Sequence, residues 1–244
     1  MNRPVISHVL IYPFHAFEVR AAFVIFALFC AIFGAVLAMD LFHAGATMEF
    51  DRDFLLALRE PHDLSDPRGD TWLEELGRDF TALGGVPVLT LFTLAVVGFL
   101  AFTHHKTLAM IFFVGTLVAL LLSFGLKEVL DRARPDLVPH KTQVHTASFP
   151  SGHSMHAAAT YLTLGGFLAR FQQRRRLRIF VMAVAGIITL LVGLSRVYLG
   201  VHWPTDVLGG WAMGSACALI TLILARTLIA PASVAKEAFV DEAV

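Results

Sequence analysis

The hydrophobic positions of this chain fall into long runs that contain no charged residue. A helix needs roughly 20 apolar residues to cross a hydrocarbon core about 30 Å thick. Six runs approach that length: residues 21–39, 86–103, 107–126, 154–169, 179–195 and 207–225. The fourth run is the shortest, and a helix that begins near Ser151 would restore its length. The pattern predicts an all-α, polytopic membrane protein with six transmembrane helices.

These runs and their loops account for residues 1–230 as a single membrane domain. The first run is longer than the apolar core of a cleaved secretory signal, and both Glu18 and Arg20 precede it. We therefore interpret it as a helix rather than as a signal. Residues 231–244 follow the last run and are predicted to form a flexible C-terminal tail.

Positive charge marks one side of this topology. Five arginines lie within residues 170–178, between the fourth and fifth runs, and Lys106 lies between the second and third. Arg3 and Arg20 precede the first run. Because cytoplasmic loops carry an excess of Lys and Arg, we expect this side and both termini to be cytoplasmic. The chain is then a multi-pass protein of the cell (inner) membrane.

The segment 41–85 falls on the opposite side and carries ten acidic residues against four arginines. Two sets of apolar residues recur in it at helical spacing: Phe50, Phe54, Leu55 and Leu58, then Trp72, Leu73, Leu76 and Phe80. We expect two short amphipathic helices at the membrane interface, separated by a turn-rich stretch over residues 61–69. The segment is interpreted either as a packed extracytoplasmic cap or as a lid or rim for a lipid substrate.

The amino-acid composition supports the membrane assignment and excludes some classes of function. The chain is 57% hydrophobic and 16% charged, whereas roughly a quarter of an ordinary soluble domain is charged. Lys and Arg balance Asp and Glu at 19 each, so there is no basic field of the kind that binds nucleic acid. Cys30 and Cys217 lie inside apolar runs, where they indicate neither a disulfide scaffold nor a metal cluster.

Three polar clusters interrupt the apolar pattern, all on the side opposite the arginine-rich loop. In the first, Lys127 and Arg134 are seven residues apart, or two helical turns, so on one continuous helix they would project from the same face. Pro135 follows and ends the helix. Cations that merely flank a membrane are expected mainly on the cytoplasmic side. The position of this pair on the opposite side favours the interpretation that the two cations bind one anion.

The second cluster, residues 149–153, is a short turn that leads into the fourth run. Ser151 and Gly152 would offer backbone amides at the positive end of a helix dipole, which suits a phosphate. A Ser-Gly pair at a helix start is, on its own, more often a simple cap. His153 is a candidate donor to the anion or a proton source.

The third cluster, residues 195–206, joins the fifth and sixth runs. Pro204 favours the first turn of a helix, which places Asp206 in that turn and His202 just before it. A carboxylate there can bind one imidazole nitrogen, fix the tautomer and leave the other nitrogen facing a pocket. Such an oriented histidine next to Arg196 is typical of a nucleophile.

Together the clusters supply three cations, a hydroxyl-and-amide turn, two histidines and one orienting carboxylate, an inventory that matches a phosphoryl group. Neither a carboxylate cluster nor a set of His and Cys residues provides a cage for a divalent metal. We therefore expect no metal and no cofactor, with charge stabilisation coming from the cations and backbone amides.

These residues resemble the type 2 phosphatidic acid phosphatase family of integral membrane lipid phosphatases. Its motifs K-x6-R-P, P-S-G-H and S-R-x5-H-x3-D are matched by residues 127–135, 150–153 and 195–206, in the same order and with the same spacings. The resemblance implies a metal-independent phosphatase that acts through a phosphohistidine, with its site on the periplasmic or extracellular side.

The same resemblance implies a role for each site residue. His202 attacks phosphorus, Asp206 holds His202, and His153 protonates the leaving group. The residues that bind the phosphate oxygens are Lys127, Arg134, Ser151, Gly152 through its amide, and Arg196. The expected partners are the bilayer and a lipid phosphate, with no obligatory protein partner.

The substrate and the reaction type stay open at this point. The candidate lipids are undecaprenyl pyrophosphate, phosphatidylglycerophosphate, phosphatidic acid and the phosphate of a lipopolysaccharide anchor. No feature of residues 41–85 selects among prenyl and diacyl chains. A lipid phosphotransferase would use the same residues, with a lipid in place of water as the acceptor. A small membrane transporter is a further alternative, because ionisable residues near membrane spans often mark a path.

Overall fold

The computed structural model describes residues 16–42, 45–135 and 147–241, and this part of the chain is mostly helical. Its elements are, in chain order, α1 (Ala16–Phe42), α2 (Ala46–Ala57), β1 (Arg59–Glu60), β2 (Asp63–Pro67), α3 (Thr71–Ala82), α4 (Val86–Phe102), α5 (Lys106–Leu130), α6 (Gly152–Arg170), α7 (Arg175–Tyr198) and α8 (Pro204–Asp241). The all-α prediction is confirmed apart from one small hairpin.

Helix α6 lies at the centre of the bundle and packs most closely against α7 and α8. Almost all of its side chains are buried, and many of them are small. A Cβ atom at Gly210 of α8 would lie only 2.7 Å from the carbonyl oxygen of Ser151, so glycine allows the two backbones to touch. This contact brings the first turns of α6 and α8 together.

Judged by helix length and composition, the described residues contain fewer candidate membrane spans than the six predicted. Among the described residues, α5, α7 and α8 as far as Ile229 are long and apolar enough to cross a membrane. α3 and α4, bent by 48°, pass the same test as one broken span, and the apolar part of α1, Val19–Ala35, is shorter. The prediction of six spans is therefore not confirmed.

The fourth run, in α6, is not among these spans. The helix carries histidine, serine and threonine side chains on a mostly buried surface, which lowers its hydropathy. A helix enclosed by other helices is not required to present an apolar surface to lipid on every side.

The two short helices predicted within residues 41–85 are present as α2 and α3. The stretch between them is not only a turn, because β1 and β2 form an antiparallel hairpin in which Arg59 lies opposite Pro67. β1 has only two residues, and β2 is exposed at every position except Pro67, so neither shows the alternating pattern by which a sequence reveals a strand. The interfacial position of α2 and α3 stays a prediction.

The last helix, α8, continues to Asp241. The predicted tail, residues 231–244, therefore begins inside this helix, and residues 242–244 lie outside the described part of the chain. The predicted flexibility of the tail stays a prediction.

Candidate active site

The eight residues predicted to form the site lie at one end of the bundle. Helices α5 and α7 end there, and α6 and α8 begin there. The residues concerned are Lys127, Arg134, Ser151, Gly152, His153, Arg196, His202 and Asp206. The structure thus brings the three motifs together, while the roles assigned to their residues stay predictions.

His202 is held from behind by Asp206. The Asp206 Oδ2 atom lies 3.4 Å from His202 Nδ1 and accepts a hydrogen bond of 2.9 Å from the backbone N–H of Trp203. The carbonyl of Trp203 accepts the first hydrogen bonds of α8, so Trp203 is the N-cap and Asp206 is the third helical residue. A carboxylate at that position reaches back to the N-cap amide, which explains why the local sequence orients it towards His202.

Contrary to the sequence prediction, Arg134 does not share a helix with Lys127, because α5 ends at Leu130 and residues 131–135 are not helical. That prediction is wrong, and a spacing of two helical turns is not what brings the two cations to one end of the bundle.

Arg134 lies against the opposite edge of the His202 ring. Its Nη1 atom is 3.3 Å from His202 Nε2 and donates a hydrogen bond of 2.8 Å to the Val201 carbonyl. Because a guanidinium only donates hydrogen bonds, Nε2 is the acceptor in this contact. The ring proton is then on Nδ1, beside Asp206, and the Nε2 lone pair faces the cations.

Burial and charge together fix the protonation state of His202. Burial lowers the pKa of its imidazole to about 3, the hydrogen bond with Asp206 opposes this shift, and the charges of Arg196 and Arg134 add to it. The ring is therefore neutral at neutral pH, as a nucleophile must be. Burial also lowers the pKa of Arg134, but a guanidinium remains charged in a protein.

Arg196, in the last turn of α7, provides a second guanidinium. Its Nη1 atom donates a hydrogen bond of 2.7 Å to the hydroxyl of Thr81 in α3. In the described part of the chain its Nε–H is buried without a hydrogen-bond partner. A buried donor without a partner is costly, and a phosphate oxygen would satisfy it. Arg196 also interacts electrostatically with Arg134, so like charges are concentrated here.

Lys127, in the last turn of α5, is the third cation and is mostly buried. Its Nζ atom donates a hydrogen bond of 2.6 Å to the carbonyl of Ala147, and the ammonium group interacts electrostatically with Arg134 and Arg196. A Cβ atom at position 152 would lie 3.8 Å from Lys127 Cε. Gly152 therefore lies directly beside this cation.

The start of α6 is built differently from the free amide turn that the sequence predicts. The backbone N–H of Ser151 donates a hydrogen bond of 2.9 Å to the Asp206 carbonyl, so this amide is already occupied. The Ser151 hydroxyl accepts a hydrogen bond of 2.9 Å from Ser154 and is completely buried. The amides of Gly152 and His153 belong to the first helical turn, where N–H groups have no intrahelical partner.

His153 follows Gly152 and is half-buried. It interacts electrostatically with Arg196, His202 and Arg134, so the two histidines face the same group of cations. Burial and these charges lower the pKa of His153, so the protonated form would need the negative charge of a bound phosphate nearby. Its role as a proton donor stays a prediction.

Five further polar residues belong to the site or its support but are missing from the sequence prediction: Asp51, Thr81, Arg132, Ser148 and Thr205. Ser148 is completely buried, donates a hydrogen bond to Asp206 Oδ2, and lies 3.4 Å from His202 Nδ1. Arg132 Nη1 lies 2.6 Å from Asp206 Oδ1, and Arg132 Nη2 lies 2.6 Å from Asp51 Oδ2. The Asp206 carboxylate is therefore part of a larger charged network.

Two sequence signals could have revealed part of this network. Arg132 lies two residues before Arg134 inside the first motif. Thr47, Asp51 and Leu55 recur every fourth residue, and all three are buried on one face of α2. An acidic residue within the buried stripe of an amphipathic helix indicates a paired carboxylate. Thr81 and Ser148 have no comparable signal.

No group of three or more His, Cys, Asp or Glu residues is placed to hold a metal ion within the described ranges. The expectation of a metal-independent reaction stays a prediction, since it depends on chemistry that a donor set alone does not decide.

Known proteins with similar sequences are phosphatases. A sequence model of the PAP2 superfamily matches residues 108–230. Phosphatidylglycerophosphatase B of Bacillus subtilis is 42% identical over 151 residues, which cover 59% of this chain and 70% of that protein. Undecaprenyl-diphosphatase of Sulfolobus acidocaldarius is 28% identical over 165 residues, which cover 64% of this chain and 69% of that protein.

The fold is similar to that of a solved membrane phosphatase. The crystal structure of a transmembrane PAP2 type phosphatidylglycerolphosphate phosphatase from Bacillus subtilis superposes with a TM-score of 0.68 and 29% sequence identity. The superposition covers 84% of this chain and 96% of that chain. The likeness therefore extends beyond the residues that the superfamily model matches.

Proposed function

Because the chain belongs to the PAP2 superfamily and is a phosphatase, we propose that it hydrolyses a lipid phosphate through a phosphohistidine on His202, without a metal ion. The observation that carries this proposal is the position of the His202 ring between the Asp206 carboxylate and the Arg134 guanidinium. This arrangement leaves a neutral Nε2 lone pair facing a group of cations.

In the first step, His202 Nε2 attacks phosphorus and the bond from phosphorus to the lipid oxygen breaks. His153 gives its proton to that oxygen, which leaves as the lipid alcohol or as the lipid monophosphate. The imidazole becomes a positively charged N-phosphoimidazolium with its proton still on Nδ1. Asp206 stabilises this cation, since its carboxylate lies beside Nδ1.

In the second step, water attacks the phosphohistidine and the bond between nitrogen and phosphorus breaks. His153, now neutral, takes a proton from the water, and inorganic phosphate leaves. The two steps return both histidines to their starting protonation states. A covalent histidine thereby divides one difficult displacement into two easier ones.

The cations act mainly on the transition state. Phosphoryl transfer spreads negative charge over three equatorial oxygens, and catalysis consists largely of positioning and electrostatic stabilisation. Lys127, Arg134 and Arg196 would bind these oxygens together with the Gly152 amide and the turn at Ser151. Arg196 has a buried Nε–H available for this purpose among the described residues.

The substrate proposed is the phosphate or pyrophosphate of a membrane lipid, of the undecaprenyl pyrophosphate, phosphatidylglycerophosphate or phosphatidic acid type. The names of two relatives, a phosphatidylglycerophosphatase and an undecaprenyl-diphosphatase, support this class. A mostly apolar cavity of about 130 Å³ lies between α4, α5 and α6 and is lined by His156. His156 is one helical turn from His153, so a lipid chain in this cavity would have its headgroup near the cations.

The proposal includes the membrane topology. Residues 1–230 form one domain of six spans, both termini and the arginine-rich loop at residues 170–178 are cytoplasmic, and the site opens to the periplasm or cell exterior. The positive-inside rule supports this orientation. Residues 41–85 then lie on the same side as the site, in agreement with the contact between Thr81 and Arg196.

A panel of lipid phosphates assayed in detergent micelles tests the proposal. The purified protein is expected to release inorganic phosphate in the presence of a chelator, and His202→Ala is expected to be inactive. Loss of activity on chelation, with recovery on addition of a divalent metal, would contradict the metal-independent reaction. Label from a labelled donor found in a second lipid, and not in free phosphate, would show transfer in place of hydrolysis.

A further inference from the structure

We propose that Arg132 and Asp51 are positioning residues, which hold the Asp206 carboxylate in the orientation and with the net charge that the His202 nucleophile requires. This inference rests on the proposed function, because it concerns the phosphohistidine step. Within the described ranges neither residue has a hydrogen bond to the imidazole, whereas Arg132 binds Asp206, so both would act through Asp206.

The orientation follows from the way the Arg132 guanidinium joins its partners. Its Nη1 atom lies 2.6 Å from Asp206 Oδ1 and 2.7 Å from the Thr205 hydroxyl oxygen. Its Nη2 atom lies 2.6 Å from Asp51 Oδ2. A planar guanidinium has fixed donor directions, so it fixes the rotation of the carboxylate that it binds. With Oδ1 turned towards Arg132, Oδ2 faces His202 Nδ1, Ser148 and the Trp203 amide.

The net charge of the network follows from its composition. A guanidinium paired with Asp206 alone would neutralise the carboxylate that must stabilise the phosphoimidazolium. Asp51 adds a second carboxylate, and the three groups together carry one net negative charge. Burial raises the pKa of Asp51, but its described partners, Arg132 and both the amide and the hydroxyl of Thr205, are all donors. These contacts favour the ionised form.

Asp51 also connects this network to α2. Its side chain is completely buried, and its Oδ1 atom accepts a hydrogen bond of 2.9 Å from the Thr205 N–H. That amide belongs to the first turn of α8, where it has no intrahelical partner and where the helix dipole favours negative charge. Asp51 therefore caps, from another helix, the same turn that carries Asp206.

Asp51→Asn and Arg132→Gln test the inference, with the exposed Asp53→Asn and Arg52→Gln on α2 as matched controls. We expect each test variant to lower kcat about tenfold, as for loss of one charge-assisted hydrogen bond. We expect KM to change by less than about twofold, because the phosphate-binding cations remain. The concentration of active sites is measured from the burst of lipid product, so that a loss of folded protein does not count as a loss of rate.

Two further variants distinguish positioning from general damage to the fold. Arg132→Lys keeps the charge but cannot span two carboxylates, so we expect it to recover only part of the rate. The double variant Asp51→Asn/Arg132→Gln is expected to be no slower than the slower single variant, because both residues act through one carboxylate. If Arg132→Gln does not accumulate in membranes, Asp51→Asn and Arg132→Lys provide the same comparison.

The results that would overturn the inference are specific. Asp51→Asn with the same kcat per active site as Asp53→Asn would overturn it, and so would single effects that multiply in the double variant. A wild-type protein without activity on any lipid phosphate would instead reject the proposed function. A normal wild-type rate with unaffected variants would reject only the role of Arg132 and Asp51.

Discussion

Arg134 Nη1 lies 3.3 Å from His202 Nε2, which is the nitrogen that the proposed mechanism uses for attack. The contact assigns the tautomer, because the arginine donates and Nε2 must accept. It also places a positive charge beside this nitrogen. A bound phosphate would replace the arginine–histidine contact with two stronger ones, one to Arg134 and one to His202. The same guanidinium would then both orient the free nucleophile and stabilise the transition state.

Asp206→Asn is predicted to remove most of the activity while the fold is retained. Asparagine keeps the size of the side chain and can still accept the Trp203 amide, but it loses the charge beside His202 Nδ1. Loss of the orienting carboxylate costs about 10⁴-fold in kcat in a comparable histidine site, and we expect a loss of about 10³- to 10⁴-fold here. Phosphate release and thermal unfolding would be measured together. Asp131→Asn, at an exposed position, is the control and should remain active.

The pH dependence of the reaction is predicted from the buried position of His202. Burial lowers its pKa to about 3, and the nucleophile must be neutral. The activity that depends on His202 is therefore present above this folded-state pKa and is lost only as the pH falls through it. Between about pH 8 and pH 5 we expect no loss of kcat/KM from this group, although a free histidine titrates in that range.

The measurement is a pH profile of kcat/KM with two substrates whose phosphate pKa values differ. An acid limb that moves with the substrate belongs to the phosphate. An acid limb near the pKa of a free histidine that stays fixed for both substrates, and that is altered in Asp206→Asn, would contradict the low pKa of His202.

The sequence predicts those parts of the site that depend on local spacing. His202 directly precedes the N-cap Trp203, and Asp206 is the third residue of α8, so the capping geometry of one helix start brings them together. Lys127, Gly152 and Arg196 lie at the ends of apolar runs, where the run boundaries fix their common side. To predict these residues, only the positions of the helices along the chain are needed, and not the way in which the helices pack.

The pairings that the sequence does not reveal depend on tertiary packing. Asp51 meets Arg132, and Thr81 meets Arg196, across long separations along the chain. Neither pair has a periodic relationship, and the partners lie on helices whose relative rotation the hydrophobic pattern does not determine. The hairpin that includes Arg59 and Pro67 escapes prediction for a different reason. One strand has two residues and the other is almost entirely exposed, so neither shows alternation.

Thr81→Val is predicted to lower the rate through Arg196. The Thr81 hydroxyl accepts a hydrogen bond from Arg196 Nη1, and valine keeps the shape of the side chain without the acceptor. The guanidinium would lose its fixed direction, so we expect kcat/KM to fall about tenfold, the value of one hydrogen bond to a charged group. Thr71→Val, at an exposed position of the same helix, is the control. Equal rates for the two variants would contradict a positioning role for Thr81.

Gly210→Ala is predicted to destabilise the bundle and to disturb the site together. The added Cβ atom would lie 2.7 Å from the Ser151 carbonyl oxygen and 3.0 Å from Ser154 Cβ, so α6 and α8 would have to separate. Overpacking of this kind costs about 1–3 kcal/mol. Gly210 is one helical turn after Asp206, so the separation would also move the Asp206 carboxylate away from His202.

Gly186→Ala is the matched control for this change. Position 186 lies inside α7, and a Cβ atom there meets nothing within 4 Å. Alanine in an open helical position is more stable than glycine by roughly 0.5–1 kcal/mol, so this variant should unfold at the same or a higher temperature and keep its activity. Thermal unfolding in detergent and phosphate release are measured for both variants. Gly210→Ala with the stability and rate of Gly186→Ala would mean that the first turns of α6 and α8 are not in the close contact on which the site depends.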